Sequence, residues 1–134
     1  MSTTAPNRHS PRRTGRSDRG SAEPLFILPI VFAMLLGVVQ VGLWAHAQHR
    51  AQAIASQALA AARTYDGSTA LAYDRAEQAQ DQLGGGMLHQ VDVQVDRGAE
   101  RTRVRVEAQV VSLLPGAGLP VAAELSGPVE RLTP

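Results

Sequence analysis

From Pro24 to His49 the sequence carries no formal charge, and Leu25–Leu43 holds thirteen Leu, Ile, Val and Phe residues. A helix of about 20 apolar residues crosses the hydrocarbon core of a bilayer, so this run is long enough. At roughly −0.3 to −0.6 kcal/mol each, those residues give about −4 to −8 kcal/mol toward insertion. Two prolines, Gln40 and two glycines erode that sum without reversing it. The chain is therefore expected to be tethered in a membrane by a helix over residues 23–45, and its function has to be read around the tether.

On the N-terminal side, Arg8, Arg12, Arg13, Arg16 and Arg19 face only Asp18. A stretch this rich in Ser, Thr, Pro and Arg cannot build a core, so residues 1–22 read as a disordered basic tail. Beside a membrane helix such a cluster sets orientation, with the arginines kept in the cytoplasm. The rest of the chain is mildly acidic, which excludes a nucleic-acid reading of the whole. With no cysteine, disulfide scaffolds, a lipid-anchored Cys, Cys-ligated zinc and thiol catalysis are also excluded. A basic region ahead of an apolar one is also the layout of a secretory signal, and Ala45-His46-Ala47 has the form of a cleavage site. The apolar run exceeds the usual signal length, however, and helical sequence continues beyond it.

Trp44, Ala47, Ala51, Ile54, Ala58, Ala61 and Tyr65 recur at steps of three and four, which puts them on one helical face. If the helix is unbroken to Arg63 it spans about 60 Å, part in the bilayer and part a stalk over residues 46–65. The small side chains would admit a partner helix closely, or pack on the chain's own domain. Tyr65-Asp66-Gly67-Ser68 stops this helix, and Ser68 or Thr69 can cap a second from Ala70 to about Leu83. Leu71, Ala72, Ala76, Ala79 and Leu83 form its apolar side, and Gly84-Gly85-Gly86 ends it. Then the period changes to two. Val91, Val93 and Val95 alternate with polar residues, as do Val104, Val106, Ala108 and Val110, with a break at Arg97–Glu100. The pattern predicts a hairpin buried on one face. Val121, Ala123 and Leu125 predict a third strand. The fold class is α+β: a long N-terminal helix, a second short helix and a small antiparallel sheet, with residues 66–134 as the domain outside the membrane.

Little here points to catalysis. His46 and His49 lie three apart on a helix, but two ligands do not make a tetrahedral metal site, and beside Trp44 their rings suit the headgroup level. The glycine triplet lacks a following Lys-Ser/Thr and a strand-to-helix setting, so it is no phosphate loop. No nucleophile–base arrangement, cofactor site or metal site is expected. Glu23, before Pro24 at the first helical turn, suits the helix N-terminus electrostatically, or could pair with a cation of a neighbouring subunit.

Asp18-Arg19-Gly20-Ser21-Ala22-Glu23, the apolar run with Pro29 inside it, the Ala-rich continuation and the small β domain together resemble TadE-like proteins. These are pseudopilins of the tight-adherence (Tad/Flp) pilus machinery, here in their actinobacterial form. The sharp part of the resemblance is Arg19 to Gly42. A looser match follows in Ala58–Arg63, the Gly67-Ser68 turn, the hairpin and Gly127-Pro128-Val129-Glu130. The resemblance implies processing by a membrane-embedded prepilin peptidase between Gly20 and Ser21. It also implies that Glu23 pairs with the freed amine of an adjoining subunit. Glu23 would be the third residue after that cut, where the family pattern has it fifth, and Pro24 directly behind it is unusual. The step from Glu23 to Pro29 fits the pattern.

The expectation is a single-pass membrane protein with its arginine tail in the cytoplasm and its domain outside. It would act as a minor pseudopilin or assembly component through helix packing with pilin-like partners. Glu23, Pro29, Ala47, Ala51, Ile54 and Ala58 are the candidate contact residues, and the lipid bilayer is the other partner. A signal-anchored module binding a ligand or envelope protein is the alternative from another class. An exported soluble domain cut after Ala47 is a third.

Overall fold

The structure is a computed structural model that describes Met1 and residues 23–83, 86–113, 116 and 118–131. The expected basic tail and the Gly20–Ser21 processing position lie outside the described residues. Five elements follow in order: α1 (Glu23–Arg63), α2 (Thr69–Leu83), β1 (Leu88–Arg97), β2 (Arg101–Val110) and β3 (Leu119–Pro128). The two helices, the hairpin and the third strand all stand where the apolar periodicity predicts them. The chain divides into two compact units, Met1–Met34 and Leu35–Pro134.

In the first unit the described part of α1 is exposed throughout, from Leu25 to Met34. Leu25, Phe26 and Leu28 each keep about 71–72% of their surface open, and Phe32 61%.

The second unit is built on an antiparallel meander of order β1-β2-β3. Val93 pairs with Val106 and Val106 with Ala123, so one face of all three strands is apolar. Gln94 and Arg105 pair on the opposite, exposed face. Alternation of this kind requires something to cover the apolar face, because a one-residue slip would turn it to water. Val104, Val106, Ala108, Val110, Val121 and Ala123 are buried together with Ala47, Ala51, Ile54, Ala55, Ala58 and Leu59 of α1 and Ala76 and Ala79 of α2. Residues of the expected stalk thus supply most of the cover of the sheet and belong to the same compact unit. An alanine face suits this, since it lets a helix lie close upon a sheet whose own side chains are mostly valine and alanine.

Ser68 caps α2, its Oγ accepting from Leu71 N–H at 3.1 Å. Ala72, Ala76 and Ala79 are buried, but Leu71 is exposed, a departure from the expected apolar side. Position 71 falls in the first turn, and α2 turns the Ala72–Ala76–Ala79 line to the core. β1 carries an irregularity between His89 and Asp92, with Gln90 at φ 51°. An extra residue in the left-handed region is how a bulge is accommodated. Gly98 N–H donates to Arg101 C=O at 2.9 Å and closes the β1–β2 turn.

Candidate membrane and partner-binding face

The functional face has to be assembled from α1, because this helix carries both the apolar run and the contacts that hold the domain. Its first stretch has large apolar side chains pointing in every direction. Leu35, Val38, Val39 and Val41 continue that exposure into the second unit, at 59, 72, 51 and 65%. Among the described residues one helix is, by length and composition, long and apolar enough to cross a membrane. Pro29 sits inside it, exposed. Lacking an N–H, Pro29 leaves the Leu25 carbonyl without its usual intrahelical donor. Glu23 is the first residue of α1, and its side chain lies outside the described residues.

Gln40 marks the change. It is 5% exposed, and its Oε1 accepts from Leu113 N–H at 2.8 Å, while Nε2 has no partner among the described residues. Trp44 Nε1 donates to Pro120 C=O at 3.1 Å and Gln48 Nε2 to Ala122 C=O at 2.6 Å. Farther along, Arg63 Nε donates to Pro128 C=O at 3.0 Å. These carbonyls belong to β3, which has no further strand on its outer side among the described residues. Side chains of α1 therefore occupy the free edge that would otherwise invite another strand. Pro120 and Pro128 help, as neither has an N–H to offer. On the opposite edge, Tyr73 of α2 accepts from Val95 N–H through its hydroxyl at 3.4 Å.

At the C-terminal end of α1 the carbonyls left over by the helix are taken up in turn. Thr64 Oγ1 donates to Ala61 C=O at 3.1 Å, Arg97 Nε to Ala62 C=O at 2.9 Å and Glu130 N–H to Arg63 C=O at 2.8 Å. Gly67 N–H donates to Thr64 C=O at 2.8 Å. A Cβ on Gly67 would stand 2.6–2.8 Å from the carbonyl oxygens of Ala61, Ala62 and Thr64. One on Gly127 would meet Arg63 Cδ and Nε at 2.9 Å. Ala58–Arg63, Gly67-Ser68 and Gly127–Glu130, noted in sequence only as loosely matching segments, converge on this joint.

Of the expected contact residues, Ala47, Ala51, Ile54 and Ala58 are all 0% exposed. Of the two readings left open for that stripe, a partner helix or the chain's own domain, the packing here is on the chain's own sheet. A cut after Ala47 would fall inside the continuous helix α1, at a buried position. His46 Nε2 accepts from Arg50 Nε at 3.1 Å. Among the described residues no group of three or more His, Cys, Asp or Glu is placed to hold a metal. Gln40, Gln48, Arg63 and Arg97 were not singled out in the sequence. For Gln40 a signal existed, a lone amide in an apolar run, whereas the other three depend on which strand lies alongside. What the arrangement can do is bind by surface: it offers an apolar helix segment and a domain whose β3 edge is occupied by α1 side chains.

Residues 21–60 match the family model of TadE-like proteins. The matched span covers α1 from its start almost to its end, the exposed apolar half and the alanine half together. No curated protein and no solved structure gives a match.

Proposed function

We propose that this chain, TadE-like over residues 21–60, is a minor pseudopilin-like component of a Tad-type pilus or a related secretion apparatus. It is a single-pass membrane protein, non-catalytic, that works by packing its apolar helix against pilin-like partners in the bilayer. The carrying observation is the exposure of every large side chain of α1 from Leu25 to Met34, in the segment that matches the family. Contiguous exposed apolar surface of this extent marks a lipid or protein interaction site. The occupied β3 edge supports the same reading, because it directs assembly away from strand addition there and toward the helix. Five arginines before the helix support a cytoplasmic N-terminus and an external domain. Prepilin peptidase acting at Gly20–Ser21 belongs to the same proposal.

Glu23→Gln tests it. As a simple helix N-terminal acid, Glu23 contributes roughly 0.3–1 kcal/mol, too little to alter insertion or folding. Paired with a neighbour's cation at the membrane edge, its loss leaves that cation unpaired at a cost on the order of 3–5 kcal/mol. With a photo-crosslinking residue at Val31, the parent chain should capture other membrane helices. Glu23→Gln should stay abundant and membrane-bound yet lose the capture. Unchanged capture would reduce Glu23 to a helix cap, and release of the chain by carbonate would overturn the anchor itself.

A further inference from the structure

We propose that Val111 and Leu113, just after β2, form a lipid-contacting collar and enter the headgroup–acyl boundary beside α1. The proposal rests on the membrane-anchor reading and adds to it a second point of bilayer contact, on the domain itself. Val111 and Leu113 follow the buried Val110 directly, yet they are 42 and 45% exposed. Leu113 is tied to α1 by its N–H, which donates to Gln40 Oε1 at 2.8 Å, as is Pro120, whose C=O accepts from Trp44 Nε1 at 3.1 Å, while Val111 N–H donates to Met87 C=O at 3.3 Å. At that same level α1 presents Val38, Val39 and Val41 outward, 51–72% exposed.

Helix length then decides where the boundary falls. About 20 residues are needed to cross the hydrocarbon core, and counted from Leu25 that number ends at Trp44. The last turn of the span is therefore the stretch to which Leu113 and Pro120 are tied, so whatever is bound to Gln40 and Trp44 shares their depth. Charge agrees, because no charged residue occurs from Val110 to Ala123. The opposite end of the sheet carries Asp96, Arg97, Glu100 and Arg101. The collar also has a physical purpose. An amide exposed to hydrocarbon is costly, and the Leu113 N–H occupies the Gln40 oxygen.

Absence of cysteine from the chain permits a direct test on the full protein. Single cysteines at Val111, Leu113, Val31 and Gln94 are labelled with an environment-sensitive dye, and each variant is reconstituted in phosphatidylethanolamine–phosphatidylglycerol vesicles. Labels at Val111 and Leu113 should show blue-shifted emission, be quenched by a nitroxide carried high on a lipid acyl chain, and escape aqueous iodide. The Gln94 label should behave oppositely, and the Val31 label should answer to a deep nitroxide. If Val31 is lipid-quenched while Val111 and Leu113 are quenched by iodide, the collar is wrong and the anchor stands. Quenching of Val31 by iodide removes the anchor and the collar with it. Shielding of Val111 and Leu113 from both quenchers means that a second copy of the chain covers them, which also overturns the proposal.

Discussion

The two halves of α1 use side chains in opposite ways. Leu25–Val39 carries large apolar residues and holds almost all of them in the open, whereas Gln40–Arg63 carries alanines and buries them to 0% at Ala47, Ala51, Ala55, Ala58 and Ala62. A chain surrounded only by water would place its largest apolar side chains inside. Here the packed half buries five alanines with Ile54 and Leu59, and the large side chains of the first half are left for a lipid or protein neighbour. The lesson is that apolar content does not mark the folded core of this molecule. Position on the packed face does, because a helix face of alanines with Ile54 and Leu59 can settle on the valine face of a meander.

Aspartate placed in each half breaks the comparison most sharply. Ile54→Asp puts an unpaired charge at a fully buried position. Even truncation to alanine at such a site costs about 2–5 kcal/mol, so the aspartate should unfold the domain, seen as loss of the cooperative thermal transition. Val31→Asp should leave that transition in place and weaken insertion by about 3–4 kcal/mol, read as a larger carbonate-soluble fraction. Equal effects on both measurements would erase the distinction between the halves.

The sheet beneath the packed half offers the next test. Val106 is 0% exposed, while Gln94 lies on the other face of the same hairpin. Val106→Asp should abolish the fold, whereas Gln94→Asp should shift the denaturation midpoint little, within about 0.5 kcal/mol. Similar tolerance at both would mean that the register is not the one described.

Two smaller changes sharpen the picture at the end of the packed half. Gly67→Ala forces a methyl against three carbonyl oxygens, and overpacking of this kind typically costs about 1–3 kcal/mol. Ser68→Ala removes the cap on α2 and should cost about 1 kcal/mol, measured by urea denaturation. Neither should alter membrane retention, since both act on the domain alone.

Much of the architecture was legible before any coordinates. Local periodicity carried it: steps of three and four across Ala47–Ala58, the Ser68 cap, and valines alternating through Val91–Val95 and Val104–Val110. Each of these signals is contained within a few neighbouring residues. Leu71 misled because two residues of the same apolar class stood side by side, and only the direction of packing separates Leu71 from Ala72. The stripe of Ala47, Ala51, Ile54 and Ala58 was recognised as a contact face, but its occupant was not readable from its own spacing. A helix face of small residues fits a partner helix and a sheet equally well.

By itself the sequence determined the elements, their order, the apolar face of each strand and the presence of a membrane-length helix, since these follow from residue type and short-range period. Only the tertiary structure decided that the meander lies on α1 from Gln40 onward and claims its alanine face. It also decided that Trp44, Gln48 and Arg63 close the edge of β3, and that Leu113 N–H occupies the Gln40 oxygen. Those contacts join residues more than sixty positions apart. Their partners are chosen by how whole elements pack, a property that no local pattern contains.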